Sequence, residues 1–206
     1  MNEEIVYRQG RPFGGCAVLL KNTLNCDVES ICTDSNRLCI VKMTGVDFKV
    51  LIVNVYMAVN GGTYKSYEEF GNILNEISGI LNIYDNFDII MGGDFNVDFR
   101  VNSLNLMLLN SFVEDEDLNT INNYMSNPNS FSYESNMSNK SLIDHFFISN
   151  NTKNKIGSCD ILVYGSNLSD HNPIFMHLNN FFSDSLSCDN NMNEINNNYD
   201  VGWKID

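Results

Sequence analysis

Basic residues are scarce in this chain. Lysine and arginine number 12 against 26 aspartates and glutamates, for a formal net charge of −14. That balance excludes a protein that coats nucleic acid through basic stripes. It leaves open an enzyme that meets a phosphodiester through a bound cation, because the metal inverts the local charge logic. No C-x-x-C pair occurs among Cys16, Cys26, Cys32, Cys39, Cys159 and Cys188. The cysteines read as small buried hydrophobes of a reducing compartment, not as a disulfide framework. No apolar run approaches the roughly 20 residues that span a bilayer. The opening MNEEIVYRQG lacks the basic-then-apolar pattern of a secretory leader. The expectation is a soluble protein of the nucleus or cytoplasm. His145, His171 and His177 form no H-E-x-x-H, and no Cys/His quartet exists, which argues against a zinc hydrolase.

What is present suffices for one domain. A chain of 206 residues can bury most of its apolar surface without covalent staples. Composition shifts once, and the reading is a domain over residues 1–178 and an acidic, Asn-rich tail or linker over 179–206. Residues 14–20 (GGCAVLL), 37–43 (RLCIVKM) and 48–56 (FKVLIVNVY) read as strands. The third is almost continuously apolar, as in a strand covered on both faces. In residues 66–84, Tyr67, Phe70, Leu74, Ile77, Leu81 and Tyr84 recur at helical spacing, and Ser66 with Glu69 forms a capping box. FDIIM reads as a short buried strand, residues 103–113 as a second helix, and FSYES, LIDHFFIS, DILVY and PIFMHL as further strands. The pattern predicts an α/β sandwich: two sheets packed face to face with helices outside.

Polar residues gather at the ends of apolar runs in four places: NVYMAVN, GGDFN, LIDHFF and LSDHNP. Each has a bland reading. Gly92-Gly93 suits a plain turn, and Asp94 and Asn96 suit turn formers. Asp144 suits the solvent face of an edge strand, Asp170-His171-Asn172-Pro173 another turn, and Tyr56 a half-buried core aromatic. Together they point to metal-assisted phosphodiester hydrolysis. That reaction needs oxygen ligands for a hard cation, a group to orient or deprotonate water, and a donor for charge building on phosphate. On this reading the bare backbone of Gly92 and Gly93 lets a phosphate and its metal come close.

NVY, GGDFN, SFSYES, LIDHFFIS and LSDHNP, in this order, resemble the endonuclease/exonuclease/phosphatase superfamily, the DNase I-like fold. GGDFNVDF followed by SFSYES, IDHFFIS and LSDHNP is most similar to the endonuclease domains of non-LTR retrotransposons. The resemblance covers residue 14 to about residue 178. It implies a four-layer α/β sandwich and a Mg²⁺- or Mn²⁺-dependent hydrolase acting on DNA. By position it implies that Asp94 holds or deprotonates the attacking water and that Asn96 positions water and phosphate. Asp144 fixes the imidazole of His171, which donates to the phosphate oxygen. Asp170 sits near the metal or the leaving oxygen, Tyr56 contacts the phosphate, and Ser130 faces the DNA backbone.

The chain departs from the family pattern in three respects. The family's metal-binding glutamate precedes the segment matching GGCAVLL, and Glu3 and Glu4 do not take its place. The expectation is therefore a chain lacking the fold's first strands and its main cation ligand, with impaired activity. Ala58 stands where the family has a proline. The charge is also unusually negative for a domain that cuts DNA. Two other readings remain: an inactive remnant acting only as a binding module, and a phosphatase or lipid phosphodiesterase of the same superfamily. The inositol-phosphatase branch carries a tryptophan shortly before its GDxN, whereas the only tryptophan here is Trp203.

Overall fold

A computed structural model describes residues 15–121, 125, 130–163 and 167–181, and the backbone of 200–202. Glu3, Glu4, Cys188, Trp203 and most of the stretch read as a tail lie outside the described residues. In chain order the elements are β1 (Asp27–Ile31), β2 (Leu38–Thr44), β3 (Lys49–Tyr56), α1 (Tyr64–Ile83), β4 (Asp88–Asp94), α2 (Leu104–Asp115) and β5 (Leu118–Thr120). There follow β6 (Tyr133–Glu134), β7 (Lys140–Ser141), β8 (Asp144–Ser149), α3 (Asn150–Lys153), β9 (Ile156–Ile161), β10 (Ile174–Leu178) and β11 (Asp200–Gly202). Six strands form one sheet in the order β1-β2-β3-β4-β8-β5, three form a second in the order β11-β10-β9, and β6 and β7 make a hairpin.

The strand pleat divides the core. Leu51, Val53 and Val55 of β3 face one way, where Phe70, Ile73, Leu74, Ile77 and Leu81 of α1 and Leu106, Leu109 and Phe112 of α2 cover them. Val50 and Ile52 face the other way with Ile90, Phe146 and Ile148, against Cys159, Ile161, Ile174, Met176 and Leu178 of the second sheet. This double burial is why β3, β4 and β8 read as unbroken apolar runs. Each fully buried Phe or Ile contributes about 1.5–3 kcal/mol relative to exposure. The result is the DNase I-like α/β layering of helices, sheet and sheet. Both long helices lie on the large sheet, and no described helix longer than four residues covers the outer face of the small one.

Parallel pairing of β3 with β4 follows from the connection between them. Helix α1 carries the chain back across the sheet, so both strands run the same way.

Several expectations change. Residues 15–20 form no strand. They run across the large sheet's face on the side of the small sheet instead, with Val18 against the inter-sheet core: Asn54 Nδ2 donates to the Ala17 carbonyl at 2.9 Å and Gly15 N–H to the Asn36 carbonyl at 3.2 Å. Helix α1 starts earlier than Ser66 because Thr63 is its cap, with Ser66 as the reciprocal member of the box. Glu69 is thereby released for another partner. Cys32 is exposed between β1 and β2, not buried. Cys159 is buried, and burial pushes its thiol up to about 12, which keeps it inert. Among the described residues the cysteines are free thiols. Within the stretch read as a tail, Asp200–Gly202 pair with β10, Gly202 opposite Phe175. These three residues extend the small sheet by offering their backbone to its open edge. Among the described residues no helix is long and apolar enough to cross a membrane.

Candidate active site

Strands β3, β4 and β8 meet at one end of the large sheet. Asp94 ends β4 opposite Tyr56 of β3 in parallel register and opposite Asp144 of β8 in antiparallel register. Residues in register share a face of the pleat. Here it is the face that Ile90, Phe146 and Ile148 present to the small sheet. Both carboxylates are 3% exposed, so the solvent-face reading of Asp144 fails.

The GG before Asp94 lies inside β4, not after it. Gly93 has φ +139°, and a Cβ there would sit 2.1 Å from the Val55 carbonyl oxygen and 3.0 Å from Asn54 Oδ1. The adjacent strand, not an approaching phosphate, demands this glycine. Beyond β4 the chain reverses through Asn96 at φ +52°, a conformation asparagine tolerates. Its backbone N–H donates to Asp94 Oδ1 at 2.8 Å, and its Nδ2 donates to Asp94 Oδ2 at 3.1 Å and to the Met57 carbonyl at 2.9 Å. Asn96 therefore clamps both oxygens of Asp94 and ties them to the end of β3.

The small sheet contributes His171. Its Nδ1 lies 2.9 Å from Asp144 Oδ2. Asn167 Nδ2 donates to the His171 carbonyl at 2.6 Å, and the His171 N–H donates to Ser169 Oγ at 3.1 Å. The Tyr133 ring packs against the imidazole, centroids 5.0 Å apart.

Ser132 joins these pieces, and sequence reading missed it. It is fully buried, and its Oγ accepts from the N–H groups of Ile143 at 3.1 Å and Asp144 at 3.0 Å. Its carbonyl accepts from Asn172 N–H at 2.6 Å. One serine thus fastens the start of β8 to the loop carrying His171. Ser130, the serine singled out in the sequence, is only half-buried. Asp170 is also half-buried and helps line an open cavity of about 470 Å³ beside His171, together with Phe131, Glu134 and Asn172.

Charge and burial act on each group differently. Burial, then the nearby charge of Asp144, pushes the Asp94 carboxyl up to about 7, against the opposing pull of Asn96 and His171. Burial pulls His171 down, but the hydrogen bond to Asp144 and the charges of Asp144, Asp94 and Asp170 outweigh it, and the net shift is upward. His145 is wholly buried on the opposite face of β8. Burial lowers its pKa despite the 2.7 Å contact between Nε2 and the Val97 carbonyl. A neutral ring that donates from Nε2 satisfies that site.

The chain can now be set beside known proteins. The profile of the endonuclease-reverse transcriptase family matches residues 50–175, more than half of the 206 residues. The chain belongs to this family. The solved endonuclease domain of TRAS1, a telomere-specific non-LTR retrotransposon, is similar at 15% identity and TM-score 0.61, over 76% of this chain and 68% of that one. A 3′ phosphatase from Neisseria, NExo, bound to a product DNA hairpin, is similar at 12% identity and TM-score 0.59, over 74% of this chain and 70% of that one. An AP endonuclease from Leishmania major, LMAP, is similar at 17% identity and TM-score 0.59, over 71% and 56%. At these identities the likeness shows the shared DNase I-like fold. No curated protein sequence matches the chain.

A divalent cation needs several oxygen ligands. In this member of the endonuclease-reverse transcriptase family, Asp144 is engaged by His171 and Asp94 by Asn96. Among the described residues, no three His, Cys, Asp or Glu side chains group to hold a metal ion. The described residues alone do not complete a cation site.

Proposed function

We propose that the chain is a phosphodiester hydrolase of the retroelement DNA endonuclease type, with Mg²⁺ or Mn²⁺ as its cation and DNA as its substrate. The observation that carries the reading is the 2.9 Å contact from His171 Nδ1 to Asp144, with Asp94 directly across the sheet from Asp144. A base and an acid are thereby held on one face, and the pKa of each is raised. Asp94, lifted toward neutrality by burial, is matched in pKa to deprotonating water near neutral pH. Asn96 fixes the orientation of that carboxylate. Asp144 holds the His171 ring through Nδ1 and stabilises its protonated form, leaving Nε2 to donate to the phosphate oxygen as charge develops. Tyr56, in register with Asp94, contacts the phosphate, and Ser130 faces the DNA backbone. Asp170, half-buried and lining the cavity, would serve at the leaving oxygen or help hold the cation.

The test is nicking of supercoiled plasmid with Mg²⁺, and again with chelator. The parent chain should nick only weakly, because its described residues complete no cation site, and His171→Ala should lower that rate by about 10²–10⁴-fold. A folded chain that neither nicks nor gains thermal stability from Mg²⁺ favours the binding-module reading. Hydrolysis of inositol phosphates in preference to DNA favours the phosphatase reading.

A further inference from the structure

The proposed chemistry leaves one cation beside the site unused. Arg37 immediately precedes β2, and its side chain is 15% exposed. It engages Tyr56 through three separate contacts. Its carbonyl accepts from Tyr56 N–H at 2.9 Å, its Nη1 donates to the Tyr56 carbonyl at 3.3 Å, and its guanidinium lies 5.3 Å from the Tyr56 ring centroid. The guanidinium is held in turn from outside the sheet. Glu69 of α1, freed from any capping duty, accepts from Arg37 Nε at 2.8 Å. Two further contacts fix the backbone: Arg37 N–H donates to Ser35 Oγ at 3.1 Å, and the Cys16 thiol donates to the Arg37 carbonyl at 3.1 Å.

The geometry points to Arg37 as a positioning residue that orients the Tyr56 ring beside Asp94, with Glu69 locking the guanidinium in place. This rests on the reading of Tyr56 as the phosphate-contacting residue. A half-buried tyrosine at a strand end has two free side-chain torsions, and a planar cation against its face removes part of that freedom. The fork geometry matters here. Arginine can stack on the ring while donating along its edge to a carbonyl and a carboxylate, and a lysine ammonium cannot do all three. Helix α1 thus reaches the site through Glu69, Arg37 and Tyr56, although α1 itself packs on the opposite face of the sheet.

Two measurements decide it. In the parent chain, nuclear Overhauser contacts should join the Arg37 side chain to the Tyr56 ring protons. They should weaken in Glu69→Gln, a substitution at an exposed side chain, and disappear in Arg37→Lys. Their absence from the folded parent overturns the proposal, whether or not the chain cuts DNA. In the plasmid-nicking assay with Mg²⁺, Arg37→Lys should raise KM for DNA about tenfold with little change in kcat. In a Tyr56→Phe background the same substitution should add almost nothing, because the phenol hydroxyl that Arg37 is held to position against phosphate is already gone. Independent, multiplying effects of the two substitutions also overturn it. Failure of the parent to nick counts against the proposed function, and the resonance contacts then decide the role of Arg37 alone.

Discussion

Asp144 and His145 are neighbours in sequence, yet they serve two different regions of the protein. The pleat of β8 sends His145 into the helix-side core, where Phe95, Phe99 and Phe147 surround it, and sends Asp144 toward the small sheet and His171. The two histidines therefore have opposite fates. In the aromatic box burial outweighs the Val97 carbonyl, so the ring is driven toward its neutral form. At the inter-sheet end three aspartates face the ring, and the protonated form is favoured despite burial. The same side chain becomes a core spacer or an acid according to which side of one strand it meets.

The strongest way to break that contrast is to remove the carboxylate that makes it. Asp144→Asn should lower the pKa of His171 toward or below its ordinary value and cut nicking by about 10²-fold or more. His145, which the charge of Asp144 holds up only in part against burial, should move further down and not up. Histidine ring resonances followed against pH report both. An unchanged His171 titration would show that Asp144 does not set its protonation.

A smaller effect concerns stability against pH. The His171 pKa is raised above 6.5, so its stabilising contribution is complete below 6.5 and lost as pH rises through the folded value. Asp94 acts in the same direction. Its folded value of about 7 exceeds the unfolded 3.8, so stability is lost as pH climbs between them. His145 acts oppositely. Its folded value lies below 6.5, so the unfolded chain takes up a proton that the folded chain refuses, and stability falls as pH drops below 6.5. Urea melts across about pH 5 to 8 should show His145→Phe losing the acid-side slope and His171→Gln losing the alkaline-side one. Identical slopes in the two variants contradict the assignment.

The smallest effect sharpens the comparison at its junction. Ser132→Ala leaves the buried N–H groups of Ile143 and Asp144 without their acceptor. The expected cost is about 1–3 kcal/mol by chemical denaturation. Ser132→Thr keeps the hydroxyl and should retain most of that stability.

Much of this was legible from the sequence, and the parts that were not share a cause. Asp94, Asn96, Asp144 and His171 could be picked out because each is a polar interruption at the end of an apolar run. Ser132 could not, since nothing local separates it from Ser130. Its importance arises from two N–H groups 11 and 12 residues away that donate to its hydroxyl. Arg37 was equally silent, because its partners sit on β3 and α1. Gly93 was noticed for the wrong reason: the atom that forbids a side chain there belongs to Val55, on the next strand. The helix starts three residues before the expected cap because the Ser66 hydroxyl closes a box with Thr63 in the place usually taken by Glu or Gln.

By itself the sequence determined the long helices and the buried strands β2, β3, β4, β8 and β10, and which few polar groups lie at their ends, though not β1 or β5 and not the loss of a strand over residues 15–20. Period and run length are local properties that the chain carries wherever it folds. Only the tertiary structure decided that Asp144 meets His171 and not His145, and that Asp94 is the carboxyl raised toward neutrality. Protonation follows distance and burial, and both are set by strands that sequence keeps far apart.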